Sequence, residues 1–347
     1  MQTFRSHSAS VLTFTAIIAL CTVATSQVKV TTSITVRPSD TIQFTAPVSG
    51  AGTSTVIWKV NGIVGGNTKV GKVTSSGLYI APAIPPSPAT VRVSASVQGL
   101  KVSSANLVTI VQCAPVPTGL VSWWAGENGA QDVYGSNAGT LEGGTSFVPG
   151  KVALGFSFDG STGYINIPDS SSLDSISTAI SVEMWALPQP IPSSETLAYL
   201  FARRNPIYSE SFSIYILEDG TLGVILRTTS SPTPTGSKFE SAPGAVTFGH
   251  MQHIAATANT NTSIVAGYID GVAVPLTLVY GPSTFSGTFS AVPYLYLGRR
   301  EDFGVGEGVP GAAYFPGLLD EISLYSTELS QGQIASIVAA GLNGKCR

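Results

Sequence analysis

Residue pairs that tolerate positive φ recur between short apolar segments of this chain. Asn61-Gly62 follows Ser54-Thr-Val-Ile-Trp-Lys-Val60. Asp219-Gly220 separates Phe212–Leu217 from Leu222–Arg227, and Asp270-Gly271 separates Ile264–Ile269 from Val272–Tyr280. Such a pair between apolar strands is the strongest short hairpin signal, because both central turn positions need positive φ. Val91, Val93, Ala95 and Val97 alternate with Arg92, Ser94 and Ser96, the period of a half-buried strand. Glycine (37) and proline (22) punctuate the 347 residues throughout, so the chain reads as β structure almost end to end. The one convincing helix is Ser330–Ala340. Ser330 caps it, Ile334, Ile337 and Val338 form its apolar stripe, and Gly341 ends it.

Charge narrows the function. Only 11% of residues are charged and the net charge is −3, which excludes a nucleic-acid binder, since phosphate neutralisation needs clustered Lys and Arg. Arg5, the apolar run Val11–Leu20 and the small residues Ala24 and Ser26 ahead of Gln27 make residues 1–26 a secretory signal. The run is too short for the roughly 20 residues of a spanning helix, and no later apolar run reaches about 18 residues, so the expectation is a secreted protein without a membrane span. With Cys21 in the leader, Cys113 and Cys346 remain. An even count in an oxidising compartment suggests a bridge, with two separate thiols as the alternative.

Cys113-Ala-Pro-Val-Pro-Thr-Gly119 interrupts the strands and divides the chain into residues 27–112 and 113–347. In the first part, about seven short strands fit a small sandwich with Trp58 as its core aromatic. Trp58-Lys-Val-Asn-Gly-Ile-Val-Gly-Gly66 and Gly77-Leu-Tyr-Ile-Ala-Pro82 resemble a bacterial Ig-like domain, a module that usually acts as a spacer. In the second part the resemblance is carried by Gly119-Leu-Val-Ser-Trp-Trp-Ala-Gly126, Asp132–Leu141, Gly155-Phe-Ser-Phe-Asp-Gly160, Tyr164–Pro168, Ser181-Val-Glu-Met-Trp185, His253–Thr257, Gly267–Val272 and Gly317-Leu-Leu-Asp-Glu-Ile-Ser-Leu-Tyr325, in that order. These stretches resemble a LamG-like jelly roll of the concanavalin A-like lectin/glucanase superfamily. The resemblance implies an all-β chain, with an N-terminal Ig-like sandwich followed by a jelly-roll sandwich that ends in a short helix. In relatives, terminal cysteines often frame the domain, which implies a Cys113–Cys346 bridge.

The resemblance also directs the search for a site. Glucanase relatives place two carboxylates on one strand face with a Glu-x-Asp-x-x-Glu type run, and this chain has none. Asp320 and Glu321 are adjacent, so on a regular strand they point apart. Glu183 stands alone on its strand. His250 and His253 have metal-like spacing but opposite strand faces, so His253 reads as structural. Phe156, Phe158, Trp185 and Tyr325 fit inward-facing core positions. Of Trp123 and Trp124, one faces away from the core and is either covered or a stacking surface. Superfamily members often hold calcium at a loop like Asp132–Asn137, aided by the acidic strand near the C-terminus. By that resemblance Asp132, Asn137 and Asp320 are the expected Ca²⁺ ligands, and a turn held by side-chain hydrogen bonds is the alternative. The expected function is non-catalytic, lectin-like recognition of carbohydrate or of a cell-surface or extracellular protein, at Tyr208 and Asn205–Glu210 or at Arg299-Arg-Glu-Asp-Phe303. The alternatives are a structural or adhesion protein, or an atypical glycoside hydrolase.

Overall fold

The computed structural model describes residues 13–15, 33–46, 56–97, 103–192, 195–205, 209–229, 236–300 and 313–346. The chain divides into two compact units, with the break after Cys113. The leader predicted for residues 1–26 lies outside the described residues except for Thr13–Thr15, whose backbone pairs in parallel with Gln43–Thr45.

The first unit has two sheets. Thr41–Thr45 and Leu78–Ile80 pair in one; Ser103–Ile110, Thr90–Val97 and Val56–Val60 run side by side in the other. Their apolar positions make one core of Ile42, Phe44, Trp58, Val60, Tyr79, Val91, Val93, Val108 and Ile110. Asn61 and Gly62 both take positive φ (47° and 83°) where Val60 turns back to pair with Ile63, as the tight hairpin requires.

The second unit is a sandwich of two antiparallel eight-stranded sheets. The first sheet runs Ser146–Pro149, Leu154–Asp159, Pro316–Tyr325, Ala179–Pro188, Gln252–Asn259, Ile264–Ile269 and Val272–Val274, with Leu120–Trp124 also paired to Pro316–Tyr325. The second runs Thr140–Glu142, Tyr164–Pro168, Tyr294–Leu297, Leu197–Asn205, Ser209–Leu217, Leu222–Leu226, Ser237–Glu240 and Thr277–Tyr280. Alternation sends Phe156, Phe158, Val182, Met184, Phe201, Phe212, Ile214 and Leu319 between the sheets. Asp270 and Gly271 (φ 49° and 78°) make the predicted two-residue turn. Asp219-Gly220 does not. Only Gly220 has positive φ, Gly220 N–H bonds to the Leu217 carbonyl and Leu217 N–H to that of Thr221, so the turn is one residue longer.

The helix is Gln331–Ala340, opened by a capping box between Ser330 and Gln333. Its buried residues are Ile334, Ile337 and Ala340; Val338 is only half-buried, one position off the stripe. Cys113 and Cys346 are bonded, with Cα atoms 5.0 Å apart across 233 residues of sequence, and Ala114 pairs in parallel with Lys345 beside them. The chain-entropy model gives on the order of 5 kcal/mol, as an upper bound, for closing so long a loop.

Candidate functional site

Each sheet of the second unit has a face turned away from the core, and both carry charge and aromatic rings. On the first sheet, Ser181, Glu183 and Trp185 alternate outward from the core positions Val182 and Met184. Glu183 is fully buried there. Its Oε2 lies 2.8 Å from His253 Nε2, its Oε1 lies 3.0 Å from Lys345 Nζ, and the Tyr325 hydroxyl donates to Oε1 at 3.2 Å. Lys345 Nζ also lies 3.5 Å from Glu321 Oε2, donates to the Glu321 carbonyl and sits 4.8 Å from the centre of the Trp123 ring. Burial alone would push the Glu183 carboxyl up, but Lys345 and His253 more than offset it and hold it at about 2. Burial would lower the Lys345 ammonium, and Glu183 and Glu321 raise it above the ordinary lysine value.

Two sequence expectations change here, and one open alternative closes. Glu321 has φ +57° and sits where the register shifts between Glu183 and Trp185, so a bulge breaks the alternation. It brings Glu321 to Lys345 on the same side as Asp320, instead of pointing the two apart. Trp185 and Tyr325 are buried, but on this outer side and not between the sheets: Trp185 meets the His253 ring edge-on at 5.2 Å and carries Lys151 Nζ 4.1 Å from its centre. Trp124 is in the main core, and Trp123, the outward one, is covered. The physical reason is shared: Leu329, Ile334 and the C-terminal segment seal this face, so outward positions are interior too. His253 is structural in this setting, and His250 is exposed and apart from it.

The expected calcium ligands serve the chain itself. Asp132 Oδ1 accepts the N–H groups of Trp123 (3.0 Å), Tyr134 (3.1 Å) and Gly135 (2.8 Å), and Oδ2 accepts that of Asn137 (3.0 Å). A β-carbon on Gly135 would come 2.6 Å from Asp132 Oδ2 and 2.4 Å from the Val121 carbonyl, so the loop closes only around glycine. The Asn137 amide oxygen accepts the Ser170 hydroxyl (2.6 Å), and its nitrogen donates to Ser122 (2.7 Å). Asp320 lies in the tail cluster, where its Oδ2 accepts Val152 N–H at 2.8 Å. No contact among the described residues joins Asp320 to Asp132 or Asn137, and no group of three or more acidic, His or Cys side chains there is disposed to hold a metal. With Asp132 Oδ1 saturated by N–H donors, this set does not fit a calcium shell; it fits the turn alternative.

The outer face of the second sheet is built differently. The register sets Asn166, Tyr296, Ala202, Ser213, Ile225 and Lys238 side by side in one row across six strands. Tyr294 is two residues from Tyr296 on the same face, and their rings stack at 5.8 Å and 6°. Tyr164 meets Tyr296 edge-on at 5.9 Å and Tyr314 lies 6.3 Å away. Over these rings sits Arg299, its guanidinium carbon 4.3 Å from the Tyr164 centre, 5.3 Å from Tyr314 and 5.7 Å from Tyr296. Arg299 and Arg300 pair with Ala313–Tyr314 in a two-stranded ladder. Arg300 reaches Glu210 (Nε to Oε1, 3.0 Å) and donates to the Tyr199 hydroxyl at 2.8 Å. Beyond it the Tyr215 ring lies over Gly223, where any β-carbon would fall within the ring, and its hydroxyl donates to Glu240 at 2.6 Å.

The two loops expected to bind ligand are therefore joined through Arg300 and Glu210; Tyr208 and Glu301–Phe303 lie outside the described residues. The sequence reading missed Tyr294, Tyr296, Tyr314, Tyr199 and Tyr215. The alternation Tyr294-Leu-Tyr296, two residues before an arginine pair, is the signal that points to them. Among the described residues of this sheet, Asn166 Oδ1, Arg203 Nε and Nη1, Ser211 Oγ and Ser213 Oγ, with Arg227 Nε at a strand end, are buried without a hydrogen-bond partner.

No helix among the described residues is long and apolar enough to cross a membrane. Among curated proteins, no match is found. Among solved structures, the chain is similar to domain 4 of a GH43 extracellular arabinanase from Geobacillus stearothermophilus in complex with arabinotriose, with 19% identity, 62% of this chain and 96% of that one covered, and a TM-score of 0.41. It is similar to a Ruminococcus gnavus sialidase CBM40 bound to α2,3-sialyllactose, with 16% identity, 53% and 95% coverage, and a TM-score of 0.41. It is similar as well to the binding domain of botulinum neurotoxin DC in complex with rat synaptotagmin II, with 12% identity and a TM-score of 0.47; there it covers 64% of its own length and spans about half (51%) of the toxin chain. The family model that matches residues 159–335 takes in strands of both sheets, the tyrosine–arginine face and the first half of the C-terminal helix, and by that match the chain belongs to the concanavalin A-like lectin/glucanases superfamily.

Proposed function

We propose that this is a secreted, non-catalytic binding protein whose second sandwich recognises carbohydrate or another surface ligand on the outer face of its second sheet. The observation that carries the reading is Arg299 seated over Tyr164, Tyr296 and Tyr314 beside the stacked pair Tyr294–Tyr296. Tyr296 is buried in this arrangement and the ring stacked on it, Tyr294, presents a flat apolar face, which suits the C–H face of a sugar ring. Tyr294 is 37% exposed and offers such a face. The first unit serves as a spacer and is given no site.

Burial supports the non-catalytic part. A glycosidase needs two carboxyl groups open to the scissile bond from either side. Glu183, Asp320 and Glu321 are each at most 1% exposed, under the tail. The test is a glycan array probed with the wild-type chain and with Tyr294→Ala and Arg299→Ala. Saccharide binding that falls at least about tenfold in both variants is expected for a central aromatic or arginine contact. A blank array would hand the face to a protein partner or to a structural, adhesive role.

A further inference from the structure

We infer that the saccharide path leaves the second sheet at Tyr294 and runs over Pro168 to the loop Asp132–Asn137, where Tyr134 is a second stacking contact, so that the site takes extended, uncharged oligosaccharides. The inference rests on the reading of Tyr294 as a saccharide contact and adds the path, the second ring and the ligand class.

Burial decides the path. Around the exposed Tyr294, Tyr296 on the same face is 4% exposed and Arg204, the register partner on one side, 5%. Pro168, the register partner on the other side, is exposed, and so is Asp169 after it. Residues paired directly across neighbouring strands share a sheet face. The open surface beside Tyr294 therefore continues over the Pro168 ring and not inward along the sheet. Two residues past Pro168, the Ser170 hydroxyl donates to Asn137 Oδ1 at 2.6 Å, and Asn137 Nδ2 donates to Ser172 Oγ at 2.9 Å. After the loop, a β-carbon on Gly139 would come 2.4 Å from Ile165 and 3.1 Å from Ile167, so the chain lies directly against the strand Tyr164–Pro168. These contacts fix the loop Asp132–Asn137 at the Tyr294 end of the sheet.

Tyr134 is the most exposed aromatic ring among the described residues, at 60%, and Val133 beside it is exposed too. The loop that carries them is not loose: Asp132 accepts the N–H groups of Tyr134, Gly135 and Asn137. A ring on a clamped backbone loses little freedom when a ligand meets it, and loops at the rim of a rigid sandwich are where such contacts are made. Tyr134 and Tyr294 lie on elements that flank the strand Tyr164–Pro168, which sets them at least roughly two strand spacings, about 10 Å, apart. A chain of several sugar units spans that gap and a single ring does not. Charge sets the class: residues 132–138, 168–170 and 291–294 hold two charged side chains, Asp132 and Asp169, and no cation. Asp132 is taken up by its N–H groups, and the exposed Asp169 accepts from hydroxyls but repels a carboxylate.

The experiment is isothermal titration of the full chain with the trimer and the hexamer of four neutral series (cello-, manno-, xylo- and arabino-oligosaccharides) and with hexagalacturonate as the acidic comparison, on wild type, Tyr134→Ala and Tyr294→Ala. At least one neutral hexamer is expected to bind the wild type about tenfold or more tighter than its trimer. Tyr134→Ala should bring that hexamer back to the affinity of the trimer, leave the trimer unchanged, and keep the wild-type thermal midpoint. Tyr294→Ala should weaken trimer and hexamer alike, by about tenfold. A Tyr134→Ala protein that binds the hexamer as the wild type does, or that loses trimer and hexamer equally, would overturn the path to the loop and leave the Tyr294 site standing. Hexagalacturonate bound more tightly than every neutral hexamer would overturn the ligand class. No binding of any hexamer would overturn the inference as a whole, and the glycan array with Tyr294→Ala then decides separately whether the face is a saccharide site.

Discussion

The two outer faces of the second sandwich are made of the same materials, are both largely buried, and differ in what covers them and where their counter-charges come from. On the first sheet the counter-charge comes from the chain's own tail: Lys345 enters between Glu183 and Glu321, and the bond between Cys113 and Cys346 fixes that tail one residue further on. On the second sheet the cations belong to the sheet and its ladder, and both faces keep buried polar atoms without a hydrogen-bond partner, His253 Nδ1 and Asp320 Oδ1 on the first, Ser211 Oγ and Ser213 Oγ on the second. A buried charge whose partner is supplied by the fold is architecture. A ring left open at the edge of such a face, as Tyr294 is at 37% exposure, is the part that something outside the chain can meet. Residue type is therefore a poor guide to openness in this protein: Glu183, His253, Lys345 and Tyr325 are all buried, while Tyr294, at the edge of the second face, is exposed.

The contrast breaks most visibly at Lys345. Lys345→Met leaves Glu183 and Glu321 buried without their cation, and the expected loss is about 3–5 kcal/mol in denaturant unfolding. Glu183→Gln added to Lys345→Met should recover a large part of it, because one of the stranded charges goes too. If Lys345→Met is as stable as wild type, the tail is not held by this charge and the sealed face loses its explanation.

Asp320 sharpens the same face by titration. Burial, with Glu321 adding to it and the N–H of Val152 opposing, pushes its carboxyl up to about 7 from 3.8. An acid raised on folding stabilises the fold fully below its unfolded value, and that contribution is lost as pH climbs through the folded value. Stability should therefore decline from about pH 4 to pH 7 by up to roughly 4 kcal/mol on account of this group. Glu183 works in the other direction: held at about 2 from 4.5, it contributes above pH 4.5 and loses that contribution as pH falls through 2. Unfolding curves between pH 4 and 8 should flatten in Asp320→Asn, and a slope identical to wild type would mean that Asp320 does not share its burial with Glu321.

The tyrosine–arginine face should respond the other way round. Tyr294→Ala, at a 37% exposed position, should cost about 1 kcal/mol or less in stability while it removes a stacking surface for ligand. A loss of several kcal/mol in thermal or denaturant unfolding would make Tyr294 part of the architecture and blur the line between the two faces.

What the sequence made legible follows from the range of the interactions. Hairpins at Asn61-Gly62 and Asp270-Gly271, the Ser330 cap and the core alternation of Phe156 and Phe158 are local, and a period or a turn pair is enough to read them. The sealed cluster is not local: Glu183, His253 and Lys345 are brought together from far apart in sequence, and the bulge that turns Glu321 toward them leaves no mark in Asp320-Glu321 itself. Trp185 and Tyr325 were expected between the sheets because burial was equated with the main core, whereas Tyr325 lies in a second buried layer with Leu329 and Ile334, and Lys151 lies over Trp185. The arginines at 299 and 300 were legible as a loop of interest. Their tyrosine partners at 164 and 199 were not, because they arrive from other strands.

The smallest effect concerns calcium. The resemblance places it at Asp132, Asn137 and Asp320, but Asp132 already closes its loop by accepting four backbone N–H groups, and Asp320 accepts Val152 N–H in the tail cluster. A cation at Oδ1 of Asp132 would face three N–H dipoles aimed at the same oxygen, and the loop would have to give them up to water. Such an exchange brings no net gain unless further oxygens converge, as the six to eight of a calcium shell must. The thermal midpoint should accordingly be the same in millimolar calcium and in chelator, within about 1 °C, while Asp132→Ala lowers it by several degrees in both, as the loss of a loop clamp worth about 1–2 kcal/mol requires. A midpoint that rises with calcium in the wild type and not in Asp132→Ala would return the metal to this loop and make the rim, rather than the tyrosine–arginine face, the place to look for ligand.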